Sequence, residues 1–132
     1  MIQFNSIVLS LIILVSFIKS TYVPGSPWSE TVWISGNIEE VKWSWQEKDG
    51  TPKIDQIDYI VVDFMTGSDY DNILLQNVAT LPPNATNTLF KVPKVSQDGK
   101  LYFFRITSFN KTNAAIDYNW STRFTILSAN PN

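Results

Sequence analysis

Val41-Lys42-Trp43-Ser44-Trp45 alternates apolar and polar side chains. Period two with β-branched and aromatic residues is the pattern of a half-buried strand, so Val41, Trp43 and Trp45 share one face. The same alternation returns late in the chain. Residues 101–108 place Tyr102, Phe104 and Ile106 on one face, with Arg105 and Thr107 on the other. Residues 57–65 run almost continuously apolar through Ile60-Val61-Val62, as expected of a strand covered on both sides. Shorter runs predict strands at residues 31–34, 73–78 and 88–92, and a closing strand at 120–127 with Phe124 and Ile126 inward. Asp49-Gly50-Thr51-Pro52, residues 67–72, Leu81-Pro82-Pro83-Asn84 and Gln97-Asp98-Gly99-Lys100 supply the breaks between them. Beyond residue 21 no segment carries the helical period.

About seven strands in roughly 100 residues predict a single all-β, antiparallel sandwich of the immunoglobulin or fibronectin III type. The strands around Trp43 and Phe104 are expected to face each other across the two sheets. Trp43 is then a core residue.

The first twenty residues follow another rule. Residues 7–18 form an apolar run about 18 Å long as a helix, against a hydrocarbon core of about 30 Å. That length fits the apolar region of a secretory signal, with Ser20 as the small residue before cleavage. The leading residues 1–6 depart from the usual pattern because they carry no Lys or Arg. The expected division is a signal peptide at 1–20 and one domain at 21–132. Residues 128–132 add no hydrophobic tail, so an exported, soluble product without stable membrane insertion is expected.

The whole chain of 132 residues has 10 basic and 12 acidic side chains and neither His nor Cys. Loss of Lys19 with the leader takes the net charge from −2 to −3, with no basic stripe for nucleic acid. Without His and Cys there is no Ser-His-Asp triad, no Cys nucleophile, no thiolate zinc site and no disulfide. No cofactor and no catalytic activity are expected. The five Trp, five Tyr and eight Phe must supply the core that a cystine would otherwise reinforce.

Three sequons are present at Asn84, Asn110 and Asn119, each a candidate for N-glycosylation in an exported chain. Asn84 and Asn110 fall in or beside loops, whereas Asn119 is followed by a bulky Trp. Among the acids, Glu39 and Glu40 point to opposite faces of a strand and cannot cooperate. Asp69 and Asp71 share a turn where solvated acids are common, although the pair also suits a cation. Trp28, Trp33, Tyr70 and Trp120 stand near loops or strand ends. There an aromatic face either stacks on a sugar ring or packs against the sandwich edge.

Several segments in order resemble a known family. These are Pro27, then Thr31-Val32-Trp33-Ile34-Ser35-Gly36, then Val41-Lys42-Trp43, and Ile60-Val61-Val62-Asp63-Phe64-Met65-Thr66-Gly67. Phe90-Lys91-Val92-Pro93, Tyr102-Phe103-Phe104-Arg105-Ile106-Thr107 and Ser121-Thr122-Arg123-Phe124-Thr125-Ile126 complete the series. Together they resemble the fungal Ser/Thr-rich GPI-anchored cell-wall proteins, whose domain is also the N-terminal part of the Kre/Knh cell-wall synthesis proteins. The likeness spans residues 23–127, with Phe104 where the family usually has Ile or Val. It implies an immunoglobulin-like sandwich, secreted or wall-bound, serving a β-glucan-containing wall by contact with its polysaccharide. The Ser/Thr-rich stalk and anchor common in the family are not expected here. Two other functions fit the same residues: a protein-binding module acting on another organism's surface, and an accessory module of a wall-active carbohydrate enzyme.

Overall fold

The computed structural model describes residues 21–129. The expected leader at residues 1–20 lies outside the described residues. Nine strands follow in order: β1 Tyr22–Ser26, β2 Val32–Ile34, β3 Ile38–Trp45, β4 Tyr59–Ser68, β5 Asp71–Leu81, β6 Asn87–Lys91, β7 Gly99–Phe109, β8 Ala115–Trp120 and β9 Phe124–Leu127. One short 3₁₀ turn, Ile54–Gln56, precedes β4. The small sheet has the order β1-β3-β6; the large one runs β2-β9-β7-β4-β5, with β8 also paired to β7.

The nine strands occupy seven positions. β1 pairs with β3 in the small sheet, whereas β2 pairs parallel with β9 in the large one. The first strand is thus divided between the sheets, and the Ser26-Pro27 peptide where it divides is cis. β8 and β9 lie in succession along one edge of β7, at Arg105 to Phe109 and Gly99 to Tyr102 respectively. Together they fill the last position.

Three expectations change. The closing strand at 120–127 is two strands, because residues 121–123 leave the ladder. There Ser121 substitutes for backbone pairing: its N–H donates to Phe104 O at 2.9 Å, and its Oγ accepts from Phe104 N–H at 2.9 Å. The strand expected at 73–78 extends to Asp71–Leu81, since the Leu81 backbone pairs with Ile60 before the proline pair can break it. An additional first strand, β1, includes Pro24 and Gly25. A proline is tolerated there because β1 is the edge of its sheet.

The facing sheets enclose one aromatic core. Val41, Trp43 and Phe90 of the small sheet join Phe64, Tyr102, Phe104 and Ile106 of the large one, as the period-two reading requires. Phe104 is its hub. Its ring lies 5.1 Å from Phe90 edge-on and 5.6 Å from Phe124 in parallel. Such pairs add about 0.5–1.5 kcal/mol each beyond burial. Two polar ends are tied down: the Trp43 indole donates to Ala85 O at 2.8 Å, and the Tyr22 hydroxyl to Pro83 O at 2.8 Å. Both bonds fasten the Pro82-Pro83 loop to the core.

Candidate functional site

Alternation in β7 sends Phe103, Arg105 and Thr107 to the outer face of the large sheet, yet that face is not simply solvated. The pairing register lines up Asn77 on β5, Asp63 on β4, Arg105 on β7 and Trp120 on β8 as one cross-strand row. Asp63, 5% exposed, accepts from Arg105 at 3.1 Å and from Asn77 Nδ2 at 3.1 Å. A carboxylate so covered needs such partners to offset the hydration it loses. The row ends in an aromatic pair: Trp120 and Tyr118 stack at 5.9 Å and 18°, and both remain about half exposed. Arg105 lies 6.0 Å from the Tyr118 centroid, fixing that ring from beneath.

A second arginine builds the adjoining rim. Arg123 lies in the gap between β8 and β9, with its guanidinium carbon 4.7 Å from the Phe103 centroid. It donates to Leu101 O at 3.0 Å, Gly67 O at 2.7 Å and Asp69 Oδ1 at 2.9 Å. The planar fork therefore joins the β4–β5 hairpin to β7. Gly67 has φ +93°, and a Cβ there would stand 2.4 Å from Asp71 O, so this hairpin base requires glycine. Between Trp120 and the hairpin lies an open cavity of about 280 Å³, lined by Asp69, Asn72, Phe103, Trp120, Ser121 and Arg123. It offers an aromatic wall, a second aromatic beneath an arginine, and hydroxyl, amide and carboxylate groups at one rim. That combination suits a polyhydroxylated ring, whose apolar C–H face stacks while its hydroxyls bond to the rim.

The aromatic candidates separate. Trp120 lines the cavity, and the fully exposed Tyr70 projects from the hairpin turn that contributes Asp69 to it. Trp28 is exposed in the turn joining β1 to β2, where its carbonyl accepts from Thr31 N–H at 2.9 Å. Trp33 is core: it is 6% exposed and packs edge-on against Phe124 at 4.9 Å. Parallel pairing of β2 with β9 turns that side chain inward, which removes it as a ligand platform.

The sequons separate in the same way. Asn84 is exposed in the loop between β5 and β6. Asn110 lies in the β7–β8 turn, where its Oδ1 accepts from Thr112 N–H, Thr112 Oγ1 and Ala114 N–H. Those bonds leave its Nδ2, the atom that carries a glycan, uncommitted. Asn119 is 3% exposed, and its Nδ2 donates to Asp117 at 3.0 Å and Thr21 at 3.3 Å. A glycan on that nitrogen is incompatible with this packing. Asp69 pairs with Arg123, and no cluster of three or more metal-ligating acids exists among the described residues.

Two sheets joined in this order, with the first strand shared between them, define a module of the immunoglobulin and fibronectin III type. The fibronectin(III)-like modules of Clostridium thermocellum CbhA have the same fold. They are similar at TM-score 0.52 and 11% identity, over 83% of this chain and 99% of theirs. No curated protein matches the chain in sequence. The model of the Kre9/KNH-like N-terminal Ig-like domain family matches residues 26–126, and the chain belongs to that family. The family is associated with biogenesis of the fungal cell wall.

Proposed function

We propose that this chain is an exported, non-catalytic protein of the fungal cell wall that contacts matrix polysaccharide, β-glucan in the first place, through the Trp120 cavity. The observation that carries the reading is the half-exposed Trp120 ring, standing over an open cavity rimmed by Asp69, Asn72, Ser121 and Arg123. Membership of a wall-associated family supports it. The cavity holds a single carboxylate, Asp69, already paired with Arg123. Glycoside hydrolysis uses two carboxyl groups on either side of the scissile bond, so this lining suits retention of a glycan rather than its cleavage. Export brings the chain under N-glycosylation, with Asn84 and Asn110 as the modified positions.

The test is sedimentation of the purified protein with insoluble β-glucan and with chitin, comparing wild type, Trp120→Ala and Trp28→Ala. Trp120→Ala should lose at least about tenfold in retention, the equivalent of about 1.4 kcal/mol, while Trp28→Ala keeps it. Equal retention of all three, or none for the wild type, rejects the reading. Reducing ends released from β-glucan would instead reveal a catalytic role.

One observation favours a second reading as a protein-binding module. β5 is the outer strand of the large sheet; Ile73, Leu74 and Leu75 on it are all about half exposed, and Asp71 is its one charged residue. Such an edge accepts an added strand from a partner protein. Leu74→Lys should abolish that pairing and leave glucan retention unchanged.

A further inference from the structure

The buried polar group where the fold begins has an unusual balance. Thr21 is buried, its carbonyl accepts from Gln46 N–H at 2.7 Å, and its hydroxyl donates to Asp117. Asn119 Nδ2 donates to the same Asp117 oxygen at 3.0 Å and to Thr21 Oγ1 at 3.3 Å. Asp117 is half-buried, and no Lys or Arg pairs with it among the described residues. Beside it the Asn119 side-chain oxygen is fully buried and has no donor. A covered carboxylate served only by neutral donors, next to an orphan acceptor, is a site short of one cationic donor.

We infer that the missing donor is the α-ammonium group of Thr21 itself, formed when the Ser20–Thr21 peptide bond is hydrolysed, and that Asp117 and Asn119 bind it. This rests on the proposed export of the chain. Hydrolysis consumes one water and leaves a carboxylate on Ser20 and an ammonium on Thr21. Within one threonine the backbone nitrogen and Oγ1 are roughly 3–4 Å apart by bond geometry. Since Thr21 Oγ1 already bonds to Asp117, the new charge arises within reach of that carboxylate. Sequence placement agrees: Ser20 is the small residue before the cut, and pairing in β1 starts at Tyr22 opposite Trp45. Removal of the leader would then complete the fold as well as free the product. It would also keep the Asn119 sequon from modification, since the Asn119 amide is part of the ammonium site.

The test uses the full chain expressed for export from a fungal host. Mass spectrometry of the secreted protein reads its first residue. Reaction of the α-amine with an amine-acylating reagent near neutral pH, where lysines react slowly, then reads its access. The expected result is a chain starting at Thr21 whose α-amine reacts at least about tenfold more slowly when native than in urea or in the exported Asp117→Asn variant. Thr21→Ala keeps the amine and loses the hydroxyl and the γ-methyl, so its amine should stay protected. If Asp117→Asn does not fold, Thr21→Ala and the ratio of native to unfolded wild type decide. A Thr21 start with an amine as reactive as in urea overturns the ammonium site and leaves export standing. Retention of the chain inside the cell with its leader intact overturns both, and a secreted chain that keeps the leader or is cut at another bond overturns the inference alone.

Discussion

The two sheets turn unlike faces to solvent. On the small sheet the outward residues are those a surface strand is expected to show: Lys42 and Ser44 on β3 and Leu89 on β6 are exposed, and Lys42 meets Glu40 in a solvated pair at 3.2 Å. On the large sheet the outward side is itself partly a second core. Met65 is 1% exposed and Phe103 4%, although both point away from the sandwich interior. Arg123 lies over Phe103 and covers it from the outside. The candidate cavity lies on that covered face. That face fixes aromatic and charged groups in cross-strand rows, whereas the small sheet's outer face is solvated.

That contrast can be broken most severely by truncating matching outward residues. Phe103→Ala should cost about 3–4 kcal/mol in equilibrium denaturation, as for a core ring. Leu89→Ala, equally outward but on the small sheet, should cost less than about 0.5 kcal/mol. Charge gives the next test. Asp63→Ala strands Arg105 beneath Tyr118 and should cost about 2 kcal/mol, less than a fully buried pair because the Arg105 side chain is 26% exposed. Lys42→Ala, in the exposed pair, should change stability by less than about 0.5 kcal/mol.

Alkaline titration tests the enclosed side. Burial, with a smaller push from the Asp117 carboxylate, raises the Tyr22 phenol from 10.0 to about 12. The folded chain keeps that proton where the unfolded chain loses it. The stabilisation is therefore complete below pH 10 and is lost between pH 10 and about 12. Tyr22→Phe should flatten that fall in melting temperature. The flattening should be partial, because Tyr102 is shifted in the same direction by burial. Trp120→Ala should change stability by less than about 1 kcal/mol, since the ring is half exposed and its main neighbour is Tyr118.

The inward faces were legible because alternation alone decides them. Val41 and Trp43, like Phe104 and Ile106, point where period two sends them. The same rule sends Thr107 to the opposite, outward face, yet Thr107 and Phe103 on that face are both buried. Their cover depends on which strands flank β4 and β7, and a local pattern does not contain that. The break after Trp120 was hidden for a related reason, because a serine hydroxyl stands in for a backbone partner at one position. Trp33 and Trp120 looked alike, each an aromatic at a short strand's end. Pairing partners separate them: β9 turns one toward the core, while β7 presents the other beside Arg105. The sequence thus reveals the sandwich and the aromatic supply, and the third dimension selects the platform.

The central claim is that the half-exposed Trp120 is a sugar-binding surface and the buried Trp33 and Trp43 are architecture. The most direct measurement is an NMR titration of the five indole N–H signals with soluble β-glucan oligosaccharide. The account predicts a saturable shift of the Trp120 signal, with those of Trp33 and Trp43 unmoved. A titration that moves only Trp28, or leaves all five in place at millimolar sugar, would contradict it.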